Sequence, residues 1–292
     1  MAEPGRVRRA LLVSTPGHAE SVQQVAASLG ARAAGVYAKA AMHVPLEIAE
    51  EARRTARGLG ADCCVTVGGS STTGLGKAIA LTSDLPILTM PTNYAGSEMT
   101  PIYGLTEAGA KKTGRDARVL PKTVIYDPTL TVSLPPRLAA ASGMNAIAHC
   151  VEALYAHDGN PVTSLMAEEG IRALAGISLG AAGMALHHKL CHVLGGTFDL
   201  PHAARYNRDA APEAMARVAR ALGTSDAPTG LYDLEAKLGI APALRDIGMP
   251  EEGIERAARI ATENSYPNPR AVHYDDVLQL LRAAYEGRRP EP

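Results

Sequence analysis

From Arg9 to Asp127 this chain alternates short apolar runs with longer amphipathic stretches, and past Leu134 the short runs stop. Such alternation is the mark of βαβ units, whose strands pair in parallel under a cover of helices. Arg9–Val13, Ala33–Tyr37, Asp62–Val67, Ile87–Met90 and Val124–Asp127 read as strands. Ala19–Leu29, closed by Gly30, and Leu46–Gly58, closed near Gly60, read as helices, and another opens after the glycine pair Gly68-Gly69. Ser14 to Gly17 reads as a turn and Thr92–Thr100 as a polar loop. After the break at Leu134-Pro135-Pro136 the periodicity turns helical over Leu138–Ala156, Pro161–Leu174 and Leu179–Val193, and Pro212–Tyr285 divides into short helices at Gly and Pro. The expected fold is an α/β, Rossmann-like parallel-sheet domain over residues 1–134 followed by an all-helical domain over 135–292, without internal repeats.

At 292 residues and 46% hydrophobic, the chain can bury a sizeable core in each domain. A formal net charge of −1 with no dense basic patch, one Phe and no Trp exclude the electrostatics and stacking surfaces of nucleic-acid binding. The four cysteines, Cys63, Cys64, Cys150 and Cys191, have neither zinc-ribbon nor disulfide spacing, and the Cys63-Cys64 pair in an apolar run reads as buried thiols. The reading is of a protein of the reducing cytoplasm, without signal peptide or membrane span.

Two loops carry the signature of anion binding. A strand runs into Gly68-Gly69-Ser70-Ser71 and then a helix, so glycines permit close backbone approach while the helix start offers unpaired N–H groups. An ordinary strand-to-helix turn explains that loop equally well. The pattern is neither G-x-G-x-x-G nor a Walker loop, for which Lys77 lies too far along. The second loop, Pro91 to Glu98, also follows a strand, and ligands of open α/β sheets lie beyond the strands' carboxyl ends. Together the loops suggest one nucleotide lying across both. In the helical half, Asn145 and His149 are four apart, as are His188 and His192, so each pair shares a helix face, while His202 after Pro201 is expected in a turn. His187, His188, His192 and His202 place four of the chain's nine histidines within sixteen residues. An isolated helical His is more often a core residue, but this density fits a transition-metal site or one that has kept its shape.

The segments GGSSTTGLGKAIAL (68–81), PTNYAGSEMTPI (91–102), SGMNAIAHCVEALYA (142–156), NPVTSLMAEEGIRALA (160–175) and GMALHHKLCHVLGGTFDLPHA (183–203) closely resemble the maleylacetate reductases, within the iron-containing alcohol dehydrogenase superfamily. The resemblance runs from about Ala10 to Arg282. It implies reduction of the C=C bond of maleylacetate to 3-oxoadipate in aromatic-compound degradation, by a homodimer using NADH or NADPH on a small dicarboxylate. It places Gly68, Gly69, Ser70 and Ser71 on the cofactor pyrophosphate, Thr92, Asn93 and Ser97 in the cofactor-lining loop, and Lys111 near the ribose. Thr15 stands where many relatives have an Asp that repels a 2′-phosphate, so either cofactor is tolerated.

The metal-ligand positions of the superfamily fall on Asn145, His149, His188 and His202, with His192 as a further active-site histidine. Asn145 replaces a carboxylate, and a neutral amide is a poorer ligand, so metal-independent turnover is favoured. Without a metal, His188, His192 and Lys189 are the groups to stabilise an enolate, with His192 the proton donor and Lys189 and Tyr94 contacting substrate. Lys189 also reads as a snorkelling surface lysine, Cys150 and Cys191 as buried neighbours, and Glu152 as the partner of a local cation. The alternatives are a metal-dependent alcohol dehydrogenase and a shortened nucleotide-binding paralogue without catalysis. Against the family the chain looks short before its first strand, between Ala175 and Gly176, and by about three helical turns between Ala203 and Ala204. Ser70 stands for a third glycine and Asn93 for a threonine.

Overall fold

The computed structural model describes residues 7–107, 110–132, 134–173, 200–238, 240–241, 243–263 and 266–291. The chain forms two compact units, Met1–Leu134 and Pro135–Pro292.

In the first unit, β1 (Ala10–Val13), β2 (Ala33–Tyr37), β3 (Cys63–Gly68), β4 (Ile87–Pro91) and β7 (Thr123–Val124) form one parallel sheet in the order β2-β1-β3-β4-β7. β1 and β3 are buried along their whole length, which is why they read as unbroken apolar runs. Their side chains alternate between two cores. Leu11, Val13 and Cys64 pack with Ala49, Ala52 and Ala56 of α2 (Leu46–Gly58) and with Leu75, Ala78 and Ile79 of α3 (Ser70–Ser83). Ala10, Leu12, Cys63, Val65 and Val67 pack with Val22 of α1 (Ala19–Leu29). Burial pushes the Cys63 thiol up to about 11 and the Cys64 thiol higher still, so both are inert, protonated core residues as expected.

Two elements depart from expectation. β7 is shorter than the expected Val124–Asp127, because the Asp127 carboxylate accepts from the Thr129 amide at 2.9 Å and hydroxyl at 2.7 Å and turns the backbone into the single helical turn α4 (Thr129–Val132). An antiparallel hairpin, β5 (Ile102–Glu107) with β6 (Ala110–Arg115), was not expected. It pairs with itself rather than with the main sheet, and its lysines and glycines hide it from an apolar-run criterion. The Thr106 amide and hydroxyl bind Val44 O (3.1 Å) and His43 O (2.8 Å), and thereby tie the hairpin down.

The second unit is helical as expected. α5 (Pro136–Ala153) starts on a proline, which tolerates the first helical position. It packs with α6 (Pro161–Ala173), α8 (Pro212–Leu222) and α9 (Ala227–Lys237) around Met144, Ile147, Val151, Ile171, Val218 and Leu231. α10 (Gly253–Thr262) and α11 (Tyr274–Glu286) enclose a second core. α7 (Leu200–Asn207) contributes Leu200 and Ala204 to the first and Tyr206 to the second. His202 therefore sits in a helix, not in the expected turn. Pro201 is the second residue of α7, where a missing N–H is tolerated. The helix runs unbroken through Ala203 and Ala204, both fully buried. Among the described residues no helix is long and apolar enough to cross a membrane.

Candidate functional site

The order β2-β1-β3-β4 changes direction between β1 and β3, since successive strands run outward from that pair on opposite sides. Such a switch point opens a crevice at the strands' carboxyl ends. Thr15 follows β1 there, Gly68-Gly69 ends β3, and Thr92 follows β4. Thr15 and the two loops expected to meet the cofactor thus fall on three adjacent strand ends. The Thr92 amide binds Gly68 O at 3.2 Å, joining the two loops through backbone.

The glycines have a reason that the sequence did not show. Gly68 has φ +151°, and a Cβ there would lie 2.4 Å from Thr72 Oγ1. A Cβ on Gly69 would lie 2.4 Å from Asn93 Nδ2. Both are required first by packing inside the protein, and the second contact sets the Gly loop directly against the second loop. Gly69 is the N-cap of α3, its carbonyl accepting from the amides of Thr72 and Thr73 at 3.1 Å. Ser70 is exposed and Ser71 half-buried in the first turn, where helical amides lack partners within the helix. Thr72 is fully buried, and its Oγ1 finds no hydrogen-bond partner among the described residues. A helix start with open amides beside an orphaned hydroxyl fits a nucleotide's phosphates.

Thr15 is half-buried, with Oγ1 3.0 Å from Nδ1 of His18. Tyr94 and Ser97 are half-buried in the second loop, which contains a 3-10 turn over Ser97–Met99. Lys111 is exposed on β6, opposite Thr106, with its Cε 3.1 Å from where a Gly104 Cβ would stand.

In the second unit α5 presents Asn145, His149 and Glu152 at spacings of four and three, one face of the helix. Asn145 is half-buried, His149 is 9% exposed and Glu152 only 1%. Burial and the charge of Glu152 push the Tyr155 phenol well above its ordinary value. His202 is 7% exposed on α7. The end of α7 is pinned by the 266–273 segment. Asn207 and Asn268 exchange two amide bonds at 2.9 and 2.7 Å, the Tyr206 hydroxyl donates to Ala271 O at 2.6 Å, and the Arg270 guanidinium lies 4.2 Å from the Tyr206 ring centre. His188, Lys189 and His192 lie outside the described residues, as do Cys191 and the Ala175–Gly176 junction. Among the described residues no three His, Cys, Asp or Glu side chains gather as an ion site. The described part of the candidate ligand set, Asn145, His149 and His202, offers two imidazoles and a neutral amide. Imidazoles are ordinary ligands of a transition ion, whereas the Asn145 amide is a weaker donor than a carboxylate would be.

Sequence reasoning missed the buried ammonium of Lys77. It is completely buried within α3, and its Nζ donates to Ser97 O (2.6 Å), Thr100 O (2.8 Å), Thr100 Oγ1 (3.1 Å) and Ile102 O (2.7 Å). The only sequence signal was a lysine on the otherwise apolar Leu75–Leu81 stretch.

Comparison with known proteins gives a consistent picture. The profile of the iron-containing alcohol dehydrogenases matches residues 2–128, and that of the C-terminal part of the Fe-containing alcohol dehydrogenase family matches 171–285. A maleylacetate reductase of Burkholderia cepacia is 55% identical over 97% of this chain and 90% of its own, and one of Sphingobium indicum is 52% identical over the same shares. The first alignment spans 318 residues, more than the 292 of this chain, so the relative carries interior residues that are lacking here. The crystal structure of maleylacetate reductase from Agrobacterium tumefaciens superposes with a TM-score of 0.92 at 43% identity, covering 97% of this chain and 91% of that one.

Proposed function

This chain belongs to the iron-containing alcohol dehydrogenase family, and from that premise we propose that it reduces the C=C bond of maleylacetate to 3-oxoadipate with NADH or NADPH. The observation that carries the reading is 55% identity to a maleylacetate reductase over 97% of the chain, which spans both the α/β and the helical unit. In this reading residues 1–134 hold the dinucleotide and 135–292 supply the substrate-side groups.

The bound dinucleotide supplies a hydride to the substrate carbon beta to the ketone. Gly68, Gly69, Ser70 and Ser71 hold its pyrophosphate at the start of α3, supported by the open amides and the orphaned Thr72 hydroxyl there. Thr92, Asn93 and Ser97 line it, and Lys111 takes the ribose. Thr15 is neutral, which leaves both NADH and NADPH acceptable. On the substrate side, His188, His192 and Lys189 stabilise the enolate, His192 delivers the proton to the adjacent carbon, and Lys189 with Tyr94 holds the carboxylates. His149 and His202 complete the imidazole set from α5 and α7. With Asn145 as a neutral donor, no step is assigned to a metal. The buried thiols Cys63 and Cys64 support a reducing, cytoplasmic setting. The assembly that goes with this reading is a homodimer, checked by sedimentation equilibrium.

The test is NADH and NADPH oxidation with maleylacetate, run before and after exhaustive chelation. Turnover that survives chelation is expected. Activity lost on chelation and restored by ferrous or zinc ion would instead make this a metal-dependent enzyme. Cofactor binding without turnover would leave a nucleotide-binding protein alone. His192→Ala should lose most turnover, on the order of a hundredfold or more, while still binding NADH; an unimpaired variant would remove His192 from the proton-donor role.

A further inference from the structure

Lys77 has no part in the chemistry above, yet it is the largest fully buried side chain of the protein as described. A buried ammonium is tolerated only when its donors are met, and a methionine of similar length would fill the same space without a desolvation penalty. Here Lys77 donates to four oxygens, three of them the backbone carbonyls of Ser97, Thr100 and Ile102. Ser97 O also receives the Thr100 hydroxyl at 3.2 Å, so one ammonium and one hydroxyl together close the end of the second loop. Burial pulls Lys77 down to about 8 while the charge of Glu98 opposes the fall, which keeps the group charged at neutral pH. Glu98 is itself 5% exposed and accepts from the Tyr126 hydroxyl at 3.0 Å.

The other end of the same loop meets α3 where Asn93 abuts Gly69. Loop 92–102 is therefore fixed to one helix at two points, at its first residues and about two turns further along. Gly76 lets that helix sit close on β3, since a Cβ there would lie 2.5 Å from Thr66 Cγ2. The geometry points to Lys77 as a positioning residue for the dinucleotide: by pinning the carbonyls of Ser97, Thr100 and Ile102 to α3, it fixes the separation between the α3 start and the second loop and so preorganises both for one ligand. This inference rests on the cofactor reading above.

Lys77→Met is the test, read by direct NADH titration without substrate, by steady-state kinetics and by amide exchange. NADH affinity should fall about tenfold and KM for NADH should rise with it. The kcat at saturating NADH and maleylacetate should stay within about twofold, and exchange should quicken in 97–102. If the methionine variant does not fold, Thr100→Val, which removes only the shared hydroxyl, should shift NADH affinity the same way by about threefold. A folded variant with unchanged NADH affinity, or with kcat lost while NADH affinity holds, overturns the role. Unsubstituted protein that binds no NADH would remove the cofactor reading and this role together, whereas NADH binding indifferent to Lys77→Met removes this role alone.

Discussion

At residues 68 and 69 two neighbouring glycines are needed for different reasons, and substitution separates them. Gly68 has a backbone that L side chains rarely adopt, and its would-be Cβ meets Thr72 Cβ at 2.9 Å as well as Oγ1. Gly69 has φ −82°, which any residue accepts, and only the Asn93 side chain is in the way. Gly68→Ala should therefore destabilise by about 2–3 kcal/mol in urea unfolding. Gly69→Ala should lose less than about 1 kcal/mol but weaken NADH binding, because Asn93 must swing out of the second loop. Equal losses would show that neither the backbone angle nor Thr72 sets the requirement. At this scale the glycines were legible as turn residues, but their partners were not, because Thr72 and Asn93 approach them through the fold. Lys77 was illegible for a related reason: its acceptors are backbone carbonyls, which no residue letter announces. His43 gives a further case, an exposed non-glycine at φ +62° in the segment that anchors the hairpin. His43→Gly should raise stability by about 0.5–1 kcal/mol, and a lower unfolding midpoint would show that the side chain compensates its own strain.

Among the elements, continuous apolar runs located β1 to β4 and 3.6-residue periodicity located α1, α2, α5 and α6, because burial writes itself into composition wherever an element is covered. The β5–β6 hairpin escaped because it is stabilised by its own ladder and by the His43–Pro45 segment rather than by an apolar face. α7 escaped because a proline at its start looks like a turn. Beside their shared apolar core, α6 and α8 are joined by a polar contact. Glu168 receives Arg217 Nε at 3.0 Å and Arg220 Nε and Nη2 at 2.9 and 3.0 Å. Burial pushes the Glu168 carboxyl up, but the hydrogen bonds and charges of Arg220 and Arg217 outweigh it and hold the group below its ordinary value. A carboxylate whose folded pKa is depressed adds stability that is complete above its unfolded pKa and fades as pH falls through the folded one. Glu168→Gln should cost about 1–2 kcal/mol at neutral pH. The gap to the unsubstituted protein should hold down to about pH 5 and close below about pH 4. A gap independent of pH would assign the loss to packing.

The molecule as a whole has separate cores in its two units, and its thiols report on each. Cys63 and Cys64 lie on β3 in the first unit and Cys150 on α5 in the second, all at most 4% exposed. With no Trp in the chain, thiol labelling followed by peptide mass analysis is the natural probe of local opening. A thiol reacts only when its surroundings open, and with fast reclosing the labelling rate tracks the population of the open form. If the dinucleotide is held by Gly68 to Ser71 and Thr92 to Ser97, its binding energy is linked to opening of the unit that contains β3. NADH at about 100 times its dissociation constant should then stabilise that unit by about 2.7 kcal/mol and slow labelling of Cys63 and Cys64 about a hundredfold. Cys150, in a unit that the proposed cofactor residues do not belong to, should slow by much less under the same sub-denaturing urea. Equal protection at all three thiols would mean that the units open as one, and then cofactor occupancy would stabilise the imidazole-bearing helices as strongly as the sheet. Protection of Cys150 alone would place the nucleotide on the helical unit and overturn the assignment of the two glycine-containing loops.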